Sequence, residues 1–522
     1  MSTTSPRLRL LALLTVLGVL IGAGAWGALS RDRNEPGARP SAAAASDAAA
    51  EVIPRPTKGV CDGQGIPGPA EPPAGARVVR TKQHLADVVE RARPGTTFWL
   101  EPGVHELSNG YYDNVQPKDG MTFIGAPGAV LDGRRRNAYA FVGEASDVTI
   151  THLTIRRFGK RGGNQNEGVV NHDAGSGWQI VANDIHDNAG AGVFIGNQNV
   201  VEGNCLRDNG QYGFSAYLPD GVDDVTLQDN EIVGNNTYDW ESRVEGCGCS
   251  GGGKFWETSN ARVVGNWIHD NNGVGLWADT NNTGFLIEGN RFSGNASEGI
   301  IYETSYNAAI THNVFARNGL RNGPTSRGFP TAAIYLSESG SDPRAGDLYG
   351  SELLIEHNRF VDNWSGIVAW ENADRFAGSP ANSSTGATTL VNPGVATVEA
   401  CSDPALVGTE PYIDDCRWKT QHLRVQHNTF RLDPARLGAP CRSRNACGFM
   451  VLASQWGSYP DWSPYQGAVV EEAITLHQDN VWSANRYVGP WRFQVKELWN
   501  VVGWGEWRRA PYGQDRDSSR RH

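Results

Sequence analysis

The chain has 522 residues, a formal net charge of −11 at neutral pH and 63 glycines. The acidic balance argues against nucleic acid as a partner, and no Cys/His spacing typical of a zinc site is present. This length usually indicates two or three domains, but a repeat protein reaches it with a single elongated core.

The N-terminus has the composition of an export signal. Arg7 and Arg9 precede an apolar stretch over residues 10–29, which is just long enough to span a bilayer. We therefore predict a signal peptide or signal anchor over residues 1–30, and a secreted or membrane-anchored extracellular location. Residues 31–76 are rich in Ala, Pro, Ser and Gly, which predicts a flexible tether.

The eight cysteines of an exported chain favour disulfide bonds. Local pairs are expected for Cys401 with Cys416 and for Cys441 with Cys447, although spacing alone does not fix the connectivity.

The folded region, predicted over residues 77–522, opens with a short amphipathic helix at residues 85–92. Its apolar residues share one face, and Pro94-Gly95 ends it. Strands are predicted next at residues 97–100 and 104–107, so this segment resembles a lid over one end of a solenoid. Further short strands are predicted at residues 121–124, 130–131, 148–151, 192–195, 213–216, 225–227, 275–277, 299–302, 334–336, 366–368 and 448–451.

A repeated unit runs between these strands: Asn, any residue, a hydrophobic residue, two more residues, then usually Asn. It begins at Asn183, Asn204, Asn266, Asn290, Asn313 and Asn358. The shortest intervals are 21, 23 and 24 residues, which accommodate three short strands and three turns. A period of this length without helices indicates an all-β solenoid. A Trp-rich segment with Trp491, Trp499, Trp504 and Trp507 is expected to cap its far end.

These units, the Gly-x-hydrophobic strands and the closing residues 507–515 resemble the secreted bacterial right-handed parallel β-helix repeat family, a pectate lyase-like carbohydrate-active superfamily. The resemblance covers roughly residues 77–518. It implies a single-stranded right-handed parallel β-helix with an N-terminal helical cap. It implies no single activity, because members include lyases, hydrolases, epimerases and proteins that only bind.

Five acidic residues fall at matching positions of successive repeats, and stacking predicts that they form one column. They are Glu257, Asp279, Glu303, Glu338 and Glu371. Like charges in a column repel each other, so the arrangement calls for a cation, a substrate or a shared proton. Alternatively, the five acids form a solvated acidic face that has no catalytic or binding role.

Two chemistries fit such a column. Paired carboxylates hydrolyse glycosides, one as proton donor and one as base or nucleophile, and the trio Asp279, Glu303 and Glu338 is the narrower prediction. Alternatively, the same carboxylates bind Ca²⁺ and Lys254 is the base of a lyase or C5-epimerase acting on uronic acids. The hydrolase hypothesis requires no cofactor. A non-catalytic glycan-binding or structural protein is the third hypothesis.

Aromatic residues accompany the acids and are candidates for stacking on sugar rings, with a polysaccharide as the expected partner. They are Trp256, Trp277, Tyr302, Tyr335 and Trp370. Neighbouring residues of a strand face opposite ways, so core packing is the competing interpretation for Trp256, Tyr302 and Trp370. Arg375 is predicted either to bind sugar or to form an ion pair.

Insertions over residues 235–253, 319–331 and 372–421 adjoin the acidic strands and are expected to wall a groove. The histidines of His186-Asp-Asn188 and His269-Asp-Asn271 are assigned to the repeat rather than to catalysis. We expect a monomer that hydrolyses polysaccharide.

Overall fold

The computed structural model describes residues 59–521, except residues 64, 161–174, 245–247, 326–330, 346–351, 383–388, 445, 456–459 and 467. The predicted export signal and most of the predicted tether lie outside the described residues. Among the residues that are described, no helix has the length and apolar character needed to cross a membrane.

The chain winds through three long parallel sheets, here called A, B and C in the order in which each turn visits them. Sheet A contains Arg77–Val79, Thr97–Leu100, Thr122–Gly125, Thr149–Thr151, Gln179–Val181, Val200–Glu202, Val222–Asp223, Thr226–Gln228, Thr258–Ser259, Arg262–Val264, Thr283–Glu288, Tyr306–Thr311, Leu353–Glu356, Leu423–Gln426 and Val481–Ser483. Sheet B contains Gly103–Glu106, Ala129–Asp132, Thr154–Arg156, Asp184–His186, Cys205–Arg207, Glu231–Val233, Trp267–His269, Arg291–Ser293, Val314–Ala316, Arg359–Val361, Thr429–Arg431, Arg486–Val488 and Ser519–Arg521. Sheet C contains Ala191–Ile195, Tyr212–Ala216, Gly251–Trp256, Val274–Asp279, Ile300–Glu303, Ile334–Ser337, Ile367–Asn372, Phe449–Gln455, Arg492–Glu497 and Val501–Val502, the last pair antiparallel. Each passage through the three sheets is one rung of a parallel β-helix, as the repeats predict.

Helices are short and lie at the ends or in the loops. The α-helices are Leu85–Glu90, Trp240–Arg243, Val398–Cys401, Tyr412–Asp415, Pro434–Leu437, Ala439–Arg444, Ala468–Glu472 and Trp504–Trp507. Single turns of 3₁₀-helix occur at Val60–Asp62 and Pro343–Ala345, and a π-helical turn at Ala473–His477. The first α-helix buries Leu85, Val88 and Val89 against the core, as the apolar spacing predicts.

Stacked aromatic rings fill the solenoid along sheet B. Ring centroids are 5.0 Å apart between Phe292 and Phe315, 4.9 Å between Phe315 and Phe360, and 4.5 Å between Phe360 and Phe430. These distances follow the strand spacing, because each ring occupies the same inward register position as its neighbour. At the far end Trp491 and Trp507 are buried as the predicted cap requires, whereas Trp499 is 54% exposed.

Two ladders of buried asparagines join the rungs at the turns that flank sheet B. The side-chain oxygen of Asn290 accepts hydrogen bonds from the Asn266 backbone amide at 2.8 Å and the Asn266 side-chain amide at 3.0 Å. Asn290 in turn donates to the side-chain oxygen of Asn313. In the second ladder, the side-chain oxygen of Asn295 accepts a hydrogen bond from Asn271, and Asn295 donates to Asn318. The repeated asparagines thus replace the backbone partners that a tight turn removes.

Replacing Asn290 by Ala is expected to lower the free energy of unfolding by about 1–3 kcal/mol, because the buried amide groups of Asn266 lose their acceptor. Chemical denaturation measures the change. Asn322, which is exposed in a loop, is the control, and its replacement by Ala is expected to change stability by less than about 0.5 kcal/mol. Equal losses in the two variants would contradict the ladder's role.

Disulfide bonds join Cys401 to Cys416 and Cys441 to Cys447, as predicted, and also Cys61 to Cys205. The third bond closes 144 residues and fixes the N-terminal 3₁₀ turn to sheet B. The backbone amide of Cys61 also donates to the Glu231 carboxylate at 2.7 Å. The His269 ring contacts the same carboxylate at 3.0 Å. Among the described residues, His269 therefore contributes to this contact on sheet B.

Candidate active site on sheet C

The five acidic residues do not form the single column that the repeat spacing predicts. Asp279 and Glu303 are register partners on adjacent strands. Ser337 occupies the same position in the next rung and Trp370 in the one after, so Glu338 and Glu371 stand one residue later. Trp256 is the register partner of Asp279, which places Glu257 one residue later as well. The acids therefore occupy two adjacent positions with different surroundings.

Asp279 and Glu303 project from the outer face of sheet C into the predicted groove. Lys254, two strands before Glu303, contacts the Asp279 carboxylate at 2.6 Å, and the Thr280 hydroxyl donates to its other oxygen at 2.7 Å. The Trp277 indole N–H donates to Glu303 Oε2 at 3.1 Å. The Lys254 ammonium lies 4.5 Å from the Trp277 ring centroid, a cation–π contact that holds both side chains in place.

Arg375 bridges two carboxylates next to this pair. Its guanidinium contacts the Glu303 carboxylate and lies 3.1 Å from Glu338 Oε2. Glu338 also accepts hydrogen bonds from the Ser337 hydroxyl and from the backbone amide of Asn372, both at 2.5 Å. The arrangement fits the ion-pair alternative for Arg375. It also leaves Arg375 beside the groove, within reach of a bound molecule.

Burial raises the pKa of Glu303, and the neighbouring Asp279 and Glu338 charges act in the same direction. The Arg375 guanidinium opposes them, yet the net shift is upward. The pKa of Arg375 is raised above its usual value, because Glu303 and Glu338 outweigh the effect of its burial. Glu303 is thus a carboxyl group that retains its proton to higher pH than an exposed one.

A cavity of about 90 Å³ opens beside Glu303. It is lined by Glu303, Tyr335, Ser337, Trp370, Asn372, Arg375, Ala381 and Asn382. Ala381 and Asn382 belong to the predicted insertion over residues 372–421, which therefore forms one wall. The insertion before Lys254 reaches the same face, because the Gly248 carbonyl accepts a hydrogen bond from the Lys254 ammonium at 2.6 Å.

The aromatic candidates divide between the groove and the core. Trp256, Trp277, Tyr335 and Trp370 are partly exposed on the outer face of sheet C. Tyr302 is fully buried, and its hydroxyl donates to the Tyr306 carbonyl at 3.1 Å. The prediction that Tyr302 binds substrate is therefore wrong, because strand alternation turns it inward when Glu303 faces outward.

Glu371 is fully buried and belongs to a structural ion pair. Its carboxylate contacts Arg417 at 2.5 Å, and it accepts hydrogen bonds from the Thr420 backbone amide at 2.7 Å and from the Gln478 side chain. No sequence pattern indicated Arg417, which lies 46 residues away. Glu257, at the other end of the five, accepts one long hydrogen bond of 3.3 Å from the Asn281 side chain. Neither residue joins the Asp279–Glu303 pair.

The predicted Ca²⁺ ligands do not assemble. In the described part of the chain, no three His, Cys, Asp or Glu side chains come together in a group that holds a metal ion. Asp279 and Glu303 instead contact Lys254 and Arg375, which are cations themselves. This donor set does not fit Ca²⁺, which takes six to eight oxygen ligands.

Residues 169–347 and 235–379 match a family model described as a right-handed beta helix region. No curated protein matches the chain in sequence. Among solved structures, the mannuronan C-5 epimerase AlgE6 A-module of Azotobacter vinelandii is 14% identical over 66% of this chain and 88% of its own, with a TM-score of 0.39. The catalytic unit of a GH87 alpha-1,3-glucanase from Streptomyces thermodiastaticus is 14% identical over 83% and 70%, with a TM-score of 0.45.

PfbA, a surface adhesin of Streptococcus pneumoniae, is 11% identical over 55% of this chain and 80% of its own, with a TM-score of 0.32. The family match spans the rungs that carry Lys254, Asp279, Glu303 and Glu338. Together with the parallel register of the three sheets, it identifies the chain as a right-handed parallel β-helix protein.

Proposed function

We propose that this protein is an extracellular glycoside hydrolase that acts on a polysaccharide, with Glu303 as proton donor and Asp279 as the second carboxylate. One observation carries the proposal: the two residues share a register position on adjacent strands and face the groove, and Glu303 has a raised pKa. A general acid needs such a pKa to hold its proton near neutral pH.

The spacing favours a retaining mechanism. Register partners on adjacent strands are about 4.8 Å apart, and retaining glycosidases place their carboxyl groups about 5–5.5 Å apart. Glu303 donates its proton to the glycosidic oxygen as the bond to the anomeric carbon breaks. Asp279 attacks that carbon and forms a glycosyl ester. Water then hydrolyses the ester and gives its proton to Glu303.

The surroundings favour a neutral or weakly charged glycan. Three carboxylates, Asp279, Glu303 and Glu338, face two cations, Lys254 and Arg375, so the groove carries no net positive charge for a polyanion. Partly exposed aromatic rings on the same face offer stacking surfaces for sugars. They are Trp256, Trp277, Tyr335 and Trp370.

A lyase or C5-epimerase acting on uronic acids is the second candidate. Lys254 and Arg375 lie on either side of the Asp279–Glu303 pair, where they are able to bind a substrate carboxylate. The Lys254 nitrogen contacts the Asp279 carboxylate at 2.6 Å and donates to the Gly248 carbonyl at 2.6 Å, so it is held by groups of the protein, which weakens its case as the base.

A polysaccharide screen with the full chain, with and without a chelator, tests the proposal. New reducing ends that are insensitive to chelation, and absent for Glu303→Gln, are the expected result. Unsaturated products would replace the hydrolase by a lyase, and a changed uronate composition without cleavage would replace it by an epimerase. Binding without any product would support the non-catalytic hypothesis.

Replacing Arg375 by Met is expected to move the basic limb of the pH–rate profile to higher pH. The Arg375 guanidinium lowers the pKa of Glu303, so its removal raises that pKa further and keeps the acid protonated over a wider range. The dependence of kcat/KM on pH measures the shift. Arg344→Met, which removes an arginine paired with Asp342, is the control and should leave the limb in place. A shift to lower pH would contradict Glu303 as the acid.

A further inference from the structure

The outer face of sheet B carries an arginine on each of its last four strands. We call Arg359, Arg431, Arg486 and Arg521 the arginine ladder. Arg359 and Arg486 share one register position with Thr429 between them, and Arg431 and Arg521 share the other with Val488 between them. The four guanidinium groups therefore alternate between two columns, one on every rung, at a strand spacing of about 4.8 Å.

The arginine ladder is not paired with acidic side chains in the described structure. In the part of the chain that the structure describes, none of its four side chains forms an ion pair or a hydrogen bond. Arg431, Arg486 and Arg521 are exposed, and Arg359 is partly exposed. Acidic residues in the adjoining turns accept hydrogen bonds elsewhere: Asp433 from the Ala435 backbone amide, Asp517 from that of Ala484, and Asp362 from Arg436.

Earlier rungs of the same face are organised differently. Arg156 contacts Asp132 on the preceding strand, and Arg207 contacts Asp184 on the strand before it, each at 3.1 Å. Cross-strand pairs of this kind neutralise the first half of the face, as opposite charges on neighbouring strands usually do. No such cross-strand ion pair involves the arginine ladder among the described residues. The second half of the face therefore presents a row of positive charges that is able to attract an external polyanion.

We propose that the arginine ladder binds an acidic polysaccharide lying along the solenoid axis, at a site separate from the groove on sheet C. A polymer with one carboxylate on each sugar spaces its charges by one pyranose ring, which is close to the rung repeat. Duplex DNA carries one charge per roughly 1.7 Å, a much denser array. The residues between the arginines, Thr429, Val361 and Val488, include no aromatic or long aliphatic side chain for insertion into a membrane.

A binding titration of the full chain with polygalacturonate at several salt concentrations tests the proposal. The ladder variant changes four residues to Gln: Arg359, Arg431, Arg486 and Arg521. A charge-matched control changes four exposed arginines elsewhere to Gln: Arg80, Arg91, Arg93 and Arg262. The ladder variant is expected to bind about 600-fold more weakly and with a smaller salt dependence, since each of its four arginines contributes about fivefold near an anionic surface. The control is expected to keep most of the affinity.

Three outcomes would overturn the proposal. Equal losses in both variants would show a general charge effect, and unchanged binding in the ladder variant would place the polymer elsewhere. Tighter binding of a DNA duplex or of phosphatidylglycerol vesicles than of polygalacturonate would assign the ladder to a different partner. Glu303→Gln separates this site from the proposed hydrolase. It is expected to bind polygalacturonate as the unchanged protein does, whatever its effect on turnover.

Discussion

Replacing Glu303 by Gln is expected to lower kcat by about 10²- to 10⁴-fold on a polysaccharide that the protein cleaves. The amide keeps the size of the side chain but has no acidic proton for the leaving oxygen. Arg375 still has Glu338 as a partner after the change, so the fold should persist. Initial rates of reducing-end release, together with thermal unfolding, measure the two effects separately.

Glu298 provides the matched control for this variant. It lies five residues earlier in the same rung, is buried, and has a pKa raised by burial as Glu303 does. Its carboxylate contacts the Ser297 hydroxyl rather than the groove. Glu298→Gln is expected to retain turnover. Equal activity of both variants would remove Glu303 from the mechanism and leave the carboxylate pair without a proton donor.

Replacing Arg417 by Met is expected to lower the free energy of unfolding by about 3–5 kcal/mol, the cost of leaving one partner of a buried ion pair uncompensated. The Glu371 carboxylate is fully buried, and Arg417 contacts it at 2.5 Å. Denaturant unfolding measures the change. Lys419 lies two residues later in the same loop and pairs with the more exposed Asp414, so Lys419→Met should cost less than about 1 kcal/mol.

A double variant distinguishes an ion pair from a packing role. With Glu371→Leu and Arg417→Met together, no charge is left buried, and such replacements are often neutral or stabilising. Most of the loss in Arg417→Met should therefore be recovered. A double variant as unstable as the single one would show that the Arg417 guanidinium, whose central carbon lies 5.1 Å from the Tyr465 ring centroid, contributes through that cation–π contact instead.

The sequence was sufficient to predict the fold because the repeat encodes one rung directly. Each Asn of the repeat bonds to its equivalent in the next rung, and the hydrophobic residue two places later fills the core. The N-terminal helix and two local disulfides were also predictable, since each depends on residues close in sequence. Cys61–Cys205 was not, because its partners are 144 residues apart.

The prediction of a single acidic column was wrong for Glu371 because one turn differs in length. Ile300 follows Asn295 by five residues, but Ile367 follows Asn363 by four, and both isoleucines begin a strand of sheet C. A count of 13 from the repeat asparagine therefore reaches the outer position at Glu303 and the next, inward position at Glu371. A shift of one residue turns a side chain to the opposite face of a sheet. Turn length is not evident from the repeat itself.

The Glu371–Arg417 pair also anchors the long loop over residues 372–421 to sheet C, so that the rest of the loop can vary in sequence and length. The loop leaves sheet C after Asn372 and returns beside the same sheet. At its return the Glu371 carboxylate accepts a hydrogen bond from the Thr420 backbone amide and contacts the Arg417 guanidinium. Closing a longer or shorter loop changes the free energy only slowly with length. Residues such as Ala381 and Asn382 can thus diversify what enters the cavity, while the rungs keep Asp279 and Glu303 in register.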